Sequence, residues 1–209
     1  MIVIVDYKMG NSGSILNMFK RIGVEAIISS NVSDIEGADK LILPGVGAFD
    51  NGIKNLKDSG LIPVLEKKVI KRKAPILGIC LGMQLLTLRS EEGCLSGLGW
   101  VDAETVRFRF TENQASLRIP HMGWNTVNLM RYNVLFENLH NKDARFYFAH
   151  SYNVRCNNEK DVLSTTHYGH DFVSSIQKGN IFGVQFHPEK SHRFGMQLLK
   201  NFCMHARTL

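Results

Sequence analysis

The sequence predicts an α/β fold: a mostly parallel central sheet with flanking helices and antiparallel additions. Three observations carry that expectation. Short β-branched runs alternate with helix-period segments through the first half of the chain. Those runs are apolar throughout, as strands covered on both faces are. The second half changes character, to strand-rich segments separated by Gly and Asn turns.

Each element follows from its residues. Ile2-Val3-Ile4-Val5 reads as a buried strand. Asn11 to Ile22 reads as a helix, with Ile15, Met18, Phe19 and Ile22 on one face. Glu25 to Ser29 and Lys40 to Leu43 read as further strands. Ile53 to Arg72 contains helical stretches, with an interruption expected near Pro63. Ile76-Leu77-Gly78-Ile79 repeats the buried-strand pattern, and Leu81 to Leu88 suits a helix. About Leu98 to Phe110 and Arg145 to Phe186 favour strands. Ser191 to His205 closes the chain as a helix, with Phe194, Leu198, Leu199 and Phe202 on one face.

A length of 209 residues suits one α/β domain spanning 1–209, and no repeat, low-complexity segment or linker divides it. Hydrophobic residues make up 44% and charged residues 21%, a folded rather than a disordered profile. The net charge of +6 invites a nucleic-acid reading, but the basic residues are scattered. The densest cluster, Lys67, Lys68, Lys71, Arg72 and Lys73, suits the solvated C-terminal end of a helix. No interleaved aromatics or binding motif accompany it, so no nucleic-acid partner is expected. Cys80, Cys94, Cys156 and Cys203 lack framework spacing, and neither CxxC nor HExxH occurs. Neither a disulfide scaffold, a metal nor a cofactor is expected. No leader pattern opens the chain, and no run approaches the roughly 18 apolar residues of a membrane span. The expected compartment is the cytoplasm.

Gly78-Ile79-Cys80-Leu81-Gly82 lies between an expected strand and an expected helix. It is the cysteine form of the nucleophile elbow, in which flanking glycines permit a tight, strained turn. A thiol at a helix N-terminus has its thiolate favoured by the amide dipoles. Such a nucleophile needs a base, and His187 follows the apolar strand Gly183-Val184-Gln185-Phe186. Catalytic groups gather at the carboxyl ends of parallel strands, so His187 can share a crevice with Cys80. Glu189 can orient the imidazole and stabilise its charged form. Pro44-Gly45-Val46-Gly47 ends another strand, and its peptides can turn an N–H toward an oxyanion. The second donor would be the N–H of Leu81.

Leu43 to Phe49, Gly78 to Gln84 and Gly183 to Ser191 together resemble the class I (triad-type) glutamine amidotransferases. Further marks are Asp6 to Asn11, Pro120 to Asn125, Tyr147 to Tyr152 and His187 to Ser191. With these the chain is similar, end to end, to the HisH family of glutaminase subunits of imidazole glycerol phosphate synthase. The resemblance implies a flavodoxin-like sheet and hydrolysis of glutamine to glutamate and ammonia through a thioester. The implied catalytic residues are Cys80, His187 and Glu189, with Val46, Gly47 and Leu81 at the oxyanion hole. Gln84, Glu92 and the backbone of His150, Ser151 and Tyr152 would hold the amino-acid end of glutamine. The implied partner is a HisF-type (β/α)8 cyclase, which would receive the ammonia in a heterodimer. Asn11, Trp124, Tyr147 and Lys190 match positions facing that barrel. Gly123 and Asn125 suggest that Trp124 lies on a loop. Lys8 and Met9 depart from the family, which often has Gly and a small residue there, as does Leu88-Arg89 before Ser90-Glu91-Glu92.

Other readings stay open. A cysteine peptidase of related fold would share the nucleophile, but Gln84 and Glu92 suit a free amino acid. An inactive regulatory subunit conflicts with the intact triad. Within the family, duplicated copies in surface-polysaccharide clusters are thought to feed ammonia to amidation of a sugar, an alternative destination.

Overall fold

The computed structural model describes residues 1–114, 116–139 and 144–205. The first half runs β1 (Ile2–Val5), α1 (Ser12–Arg21), β2 (Ala26–Ser29), α2 (Val32–Gly37) and β3 (Lys40–Leu43). It continues through α3 (Phe49–Asp58), α4 (Ile62–Glu66), β4 (Ile76–Ile79), α5 (Leu81–Leu85) and β5 (Arg89–Ser90). The second half adds β6 (Ala103–Arg107), β7 (His121–Thr126), β8 (Asn128–Leu129), β9 (Arg145–His150) and β10 (Tyr152–Cys156). The long hairpin of β11 (Val162–Tyr168) and β12 (His170–Lys178), then β13 (Ile181–Val184) and α6 (His192–His205), complete it.

The main sheet runs in the order β2-β1-β3-β4-β13-β12-β10-β6-β5, with β11 and β8 attached beside β12. Its first five strands are mutually parallel, and β12, β10 and β6 are added antiparallel. A separate antiparallel ribbon pairs β7 with β9. The expected mixture of a parallel core and antiparallel additions is therefore present.

Alternation explains why the core strands are apolar throughout. Ile2 and Ile4 pack with Phe19, Leu198 and Phe202 on one side of the sheet. Val3 and Val5 pack with Ile35, Phe49 and Leu56 on the other. Successive side chains point to opposite faces, and both faces are covered. Each fully buried Val, Ile, Leu or Phe contributes about 1.5–3 kcal/mol.

Several expected boundaries move. The break between α3 and α4 falls at Ser59–Leu61, where Gly60 takes φ 68°, rather than at Pro63. Pro63 sits in the first turn of α4, where its missing N–H has no partner to lose. α5 stops at Leu85 instead of Leu88, because the Thr87 hydroxyl donates to the Gln84 carbonyl (2.7 Å) and the chain turns toward β5. The strand expected over 98–110 contracts to β6. No helix among the described residues is long and apolar enough to cross a membrane.

Candidate active site

The carboxyl ends of β3, β4 and β13 converge on one cavity of about 290 Å³. Cys80 follows β4 directly, with φ 54° and ψ −111°. This is the strained elbow that the glycine spacing predicts, and the thiol opens α5. Gly82 is required by contact: a Cβ there would lie 1.9 Å from the Leu43 carbonyl oxygen. Gly45 is required likewise, since a Cβ would meet the Gly82 nitrogen at 2.7 Å and the Tyr7 hydroxyl at 2.9 Å. The loop after β3 and the elbow after β4 are thus pressed together. Tyr7 supports them from below, donating its hydroxyl to the Pro44 carbonyl. Burial, and the nearby Cys80, push the Tyr7 hydroxyl well above its ordinary range, so it remains a donor.

His187 follows β13, and its imidazole Nδ1 lies 2.8 Å from Glu189 Oε1. Both side chains are almost wholly buried. Desolvation favours the neutral ring, but hydrogen bonds with Cys80 and Glu189 outweigh it and raise the His187 pKa to about 10. In its protonated form His187 holds Nδ1–H on Glu189 and has Nε2–H left for the Cys80 sulfur. Glu189 Oε2 is buried and takes no hydrogen bond from the described residues. The ring sits in place through its backbone: the His187 N–H donates to the Tyr147 carbonyl at 2.9 Å. Ser191 accepts from the Tyr147 N–H (3.0 Å) and donates to the His187 carbonyl (2.6 Å).

Val46, Gly47, Leu81, Gln84, Glu92, His150, Ser151 and Tyr152 line the same cavity as Cys80 and His187. Gly47 has φ 118°, a conformation that only glycine adopts without strain. Met9, one of the departures, rests with its methyl 3.1 Å from the Cβ position of Gly47. Glu92 Oε2 accepts from the Phe49 N–H at 2.8 Å, capping α3, which leaves its other oxygen for a ligand. His150 is buried, and its Nδ1 lies 2.8 Å from the Tyr152 carbonyl, so Nδ1 carries the proton. Its Nε2 then accepts from His121 Nδ1 at 3.2 Å. Burial lowers both rings, His121 to about 4 and His150 to about 3, so both are neutral at pH 7.

Of the four expected interface positions, Lys190 lines the cavity itself. Trp124 stands on β7, a strand and not a loop, because the ribbon alternates inward His121 with outward Met122 and Trp124. It stacks on His192 at 5.4 Å and meets Tyr147 edge-on at 6.2 Å. Lys190 lies 5.6 Å from the Tyr147 ring centre. Asn11 caps α1, accepting from the Ser14 N–H, and α1 packs against the turn bearing Lys190.

Sequence reading missed Pro120 and Met122, which also line the cavity, and Gln185. The signal for Gln185 was present: one polar residue inside an otherwise apolar, buried run must find partners. A larger cavity of about 490 Å³ opens at the opposite end of the sheet, beside Lys71, Trp100 and Lys178, and its lining has no cysteine, serine, threonine or histidine.

The family model described as glutamine amidotransferase class-I matches residues 3–206. The chain is 55% identical over 206 residues to imidazole glycerol phosphate synthase subunit HisH 2 of Methanococcus maripaludis, covering 99% of this chain and 100% of that one. It is 50% identical to the protein of the same name in Pseudomonas aeruginosa, covering 97% and 98%. The crystal structure of a glutamine amidotransferase from Thermotoga maritima shares the fold, with TM-score 0.65, 17% identity and coverage of 97% and 81%. The chain belongs to the class I glutamine amidotransferases and, within them, to the HisH subunits of imidazole glycerol phosphate synthase.

Proposed function

We propose that this chain is the glutaminase subunit of an imidazole glycerol phosphate synthase and passes its ammonia to a HisF-type (β/α)8 cyclase. The observation that carries the reading is a strained Cys80 beside a His187–Glu189 pair, inside one cavity with Gln84 and Glu92. The Cys80 thiolate adds to the side-chain amide carbon of glutamine, and the new oxyanion takes N–H donors from Leu81 and the Val46–Gly47 peptide. His187 gives its proton to the departing nitrogen, so ammonia leaves and a γ-glutamyl thioester remains. Water, deprotonated by His187, then adds to the thioester, releasing glutamate and restoring the thiol.

Gln84 and Glu92 suit the substrate ammonium, and backbone groups at 150–152 suit its carboxylate. Ammonia protonates in bulk water, so its transfer requires a partner sealed over the cavity mouth. Met122 and Lys190 line the cavity, and the exposed Trp124, with Tyr147 and Asn11, would extend the surface that such a partner covers. Partner binding would favour the state in which the Val46–Gly47 peptide points its N–H inward, a population shift. A tenfold stimulation requires only about 1.4 kcal/mol of differential binding.

The test mixes the chain with the histidine-pathway cyclase of the same cell and follows glutamate. A one-to-one complex and at least tenfold stimulation are expected. Absence of both would redirect the ammonia to another acceptor, such as a sugar.

A further inference from the structure

We propose that Gln185 is a further catalytic residue of this site: its side-chain amide donates to the Cys80 sulfur and ties the nucleophile to the glutamine-binding Gln84. The inference rests on Cys80 being the nucleophile. Gln185 lies one residue beyond β13 and has no solvent exposure, at 0%. Its Nε2 lies 3.7 Å from Cys80 Sγ, and its Oε1 accepts from Gln84 Nε2 at 3.0 Å. Gln84 Nε2 also donates to the Tyr152 carbonyl at 3.1 Å.

The polarity of this chain of hydrogen bonds is fixed at one end. A peptide carbonyl can only accept, so Gln84 must turn its NH₂ toward Tyr152. The neighbouring atom of Gln185 must then be its oxygen, which leaves the Gln185 NH₂ on the sulfur. Reversing Gln185 would set two NH₂ groups against each other and an oxygen against the sulfur.

Two chemical consequences follow. An N–H donor in a buried site favours the anionic form of its acceptor over the protonated form. His187 also favours the thiolate, but it must surrender its proton to the leaving ammonia. Gln185 has no proton to lose at any step, so its donor remains on the sulfur through attack, departure and hydrolysis. In addition, both hydrogens of Gln84 Nε2 are used inside the protein. Gln84 Oε1 takes no hydrogen bond from the described residues, and Gln84 lines the cavity. The wiring therefore presents an acceptor to the substrate, which discriminates for the ammonium group of a free amino acid.

The test is Gln185→Met, which keeps length and bulk and removes both donor and acceptor. Iodoacetamide labelling of Cys80 is followed by mass spectrometry from pH 5 to 10, with exposed Cys94 as internal reference, alongside glutaminase kinetics. We expect kcat and the labelling of Cys80 at pH 7 each to fall at least tenfold. The labelling profile should move to higher pH, and KM for glutamine should rise severalfold. A labelling profile superimposable on the parent's, or a kcat loss below threefold, overturns the proposal. Should Gln185→Met fail to fold, the isosteric Gln185→Glu decides. Its Cys80 labelling, relative to the parent, should fall as the new carboxyl ionises, and a constant ratio overturns the proposal. Cys80→Ala separates the two levels: if it keeps glutaminase activity, the nucleophile reading itself fails. If it is inactive while Gln185→Met is normal, only the role of Gln185 fails.

Discussion

The two walls of the crevice are built differently. One wall is the elbow and the ends of β3, β4 and β13, where Cys80, Gln84, Gln185 and His187 are buried and joined by hydrogen bonds. The other is the β7–β9 ribbon, whose inner face is buried while Met122 and Trp124 stand 65% and 46% exposed. A hydrogen-bonded, desolvated wall holds reacting groups within tenths of an ångström, which chemistry needs. An exposed aromatic rim leaves apolar area uncovered, which binding needs. On the proposed reading, chemistry falls to the buried wall and docking to the exposed ribbon.

Variants of the buried wall should abolish turnover. Cys80→Ala and His187→Ala should each lower glutaminase kcat at least about a thousandfold. The double variant should be little worse, because the two groups act as a unit. Steady-state kinetics of all three proteins would break the account if the losses multiplied.

Gly82→Ala should be strongly destabilising for so small a substitution. Its methyl would have to displace the Leu43 carbonyl, and we expect a loss of about 3 kcal/mol. Urea unfolding measures it; a loss below about 1 kcal/mol would show that the loop after β3 yields easily.

Trp124→Ala sharpens the contrast from the other wall. Its stability should change by only about 0.5 kcal/mol. Affinity for the cyclase should fall by about 2 kcal/mol, roughly thirtyfold. Calorimetry of both properties decides whether Trp124 serves the interface or the fold.

A further expected effect is on pH dependence. His121 and His150 are held neutral, with folded pKa values of about 4 and about 3 against about 6.5 unfolded. The unfolded chain binds more protons below pH 6.5, so their contribution is lost as pH falls from 6.5 through about 4 and 3. His187 has the opposite sign: its contribution is complete below pH 6.5 and is lost as pH rises through about 10. Melting temperature should therefore peak near pH 6.5, and His187→Gln should flatten the alkaline side alone.

Much of the buried wall was legible in the sequence, because steric demands leave glycines at fixed spacing. Gly78 and Gly82 announce the elbow, and Gly45 and Gly47 announce the loop pressed against it. The parallel strands were legible because burial on both faces removes polar residues from them. The ribbon was less so: Gly123 and Asn125 resemble loop residues, yet β7 pairs with β9 over six residues and places Trp124 outward. Pairing among β6, β10 and β12 depends on distant partners that no local pattern names. Gln185 went unread because a strand average hides one polar residue, although burial makes that residue the informative one.

The most direct test of the account uses a glutamine-shaped electrophile, the diazoketone analogue of glutamine, at one equivalent. Cys94 is exposed and Cys80 is buried, so accessibility alone would direct the label to Cys94. Peptide mass spectrometry should instead find the adduct on Cys80, suppressed by excess glutamine and absent in His187→Ala. A label on Cys94, or one on Cys80 that glutamine does not suppress, would contradict the assignment of this cavity as the glutaminase site.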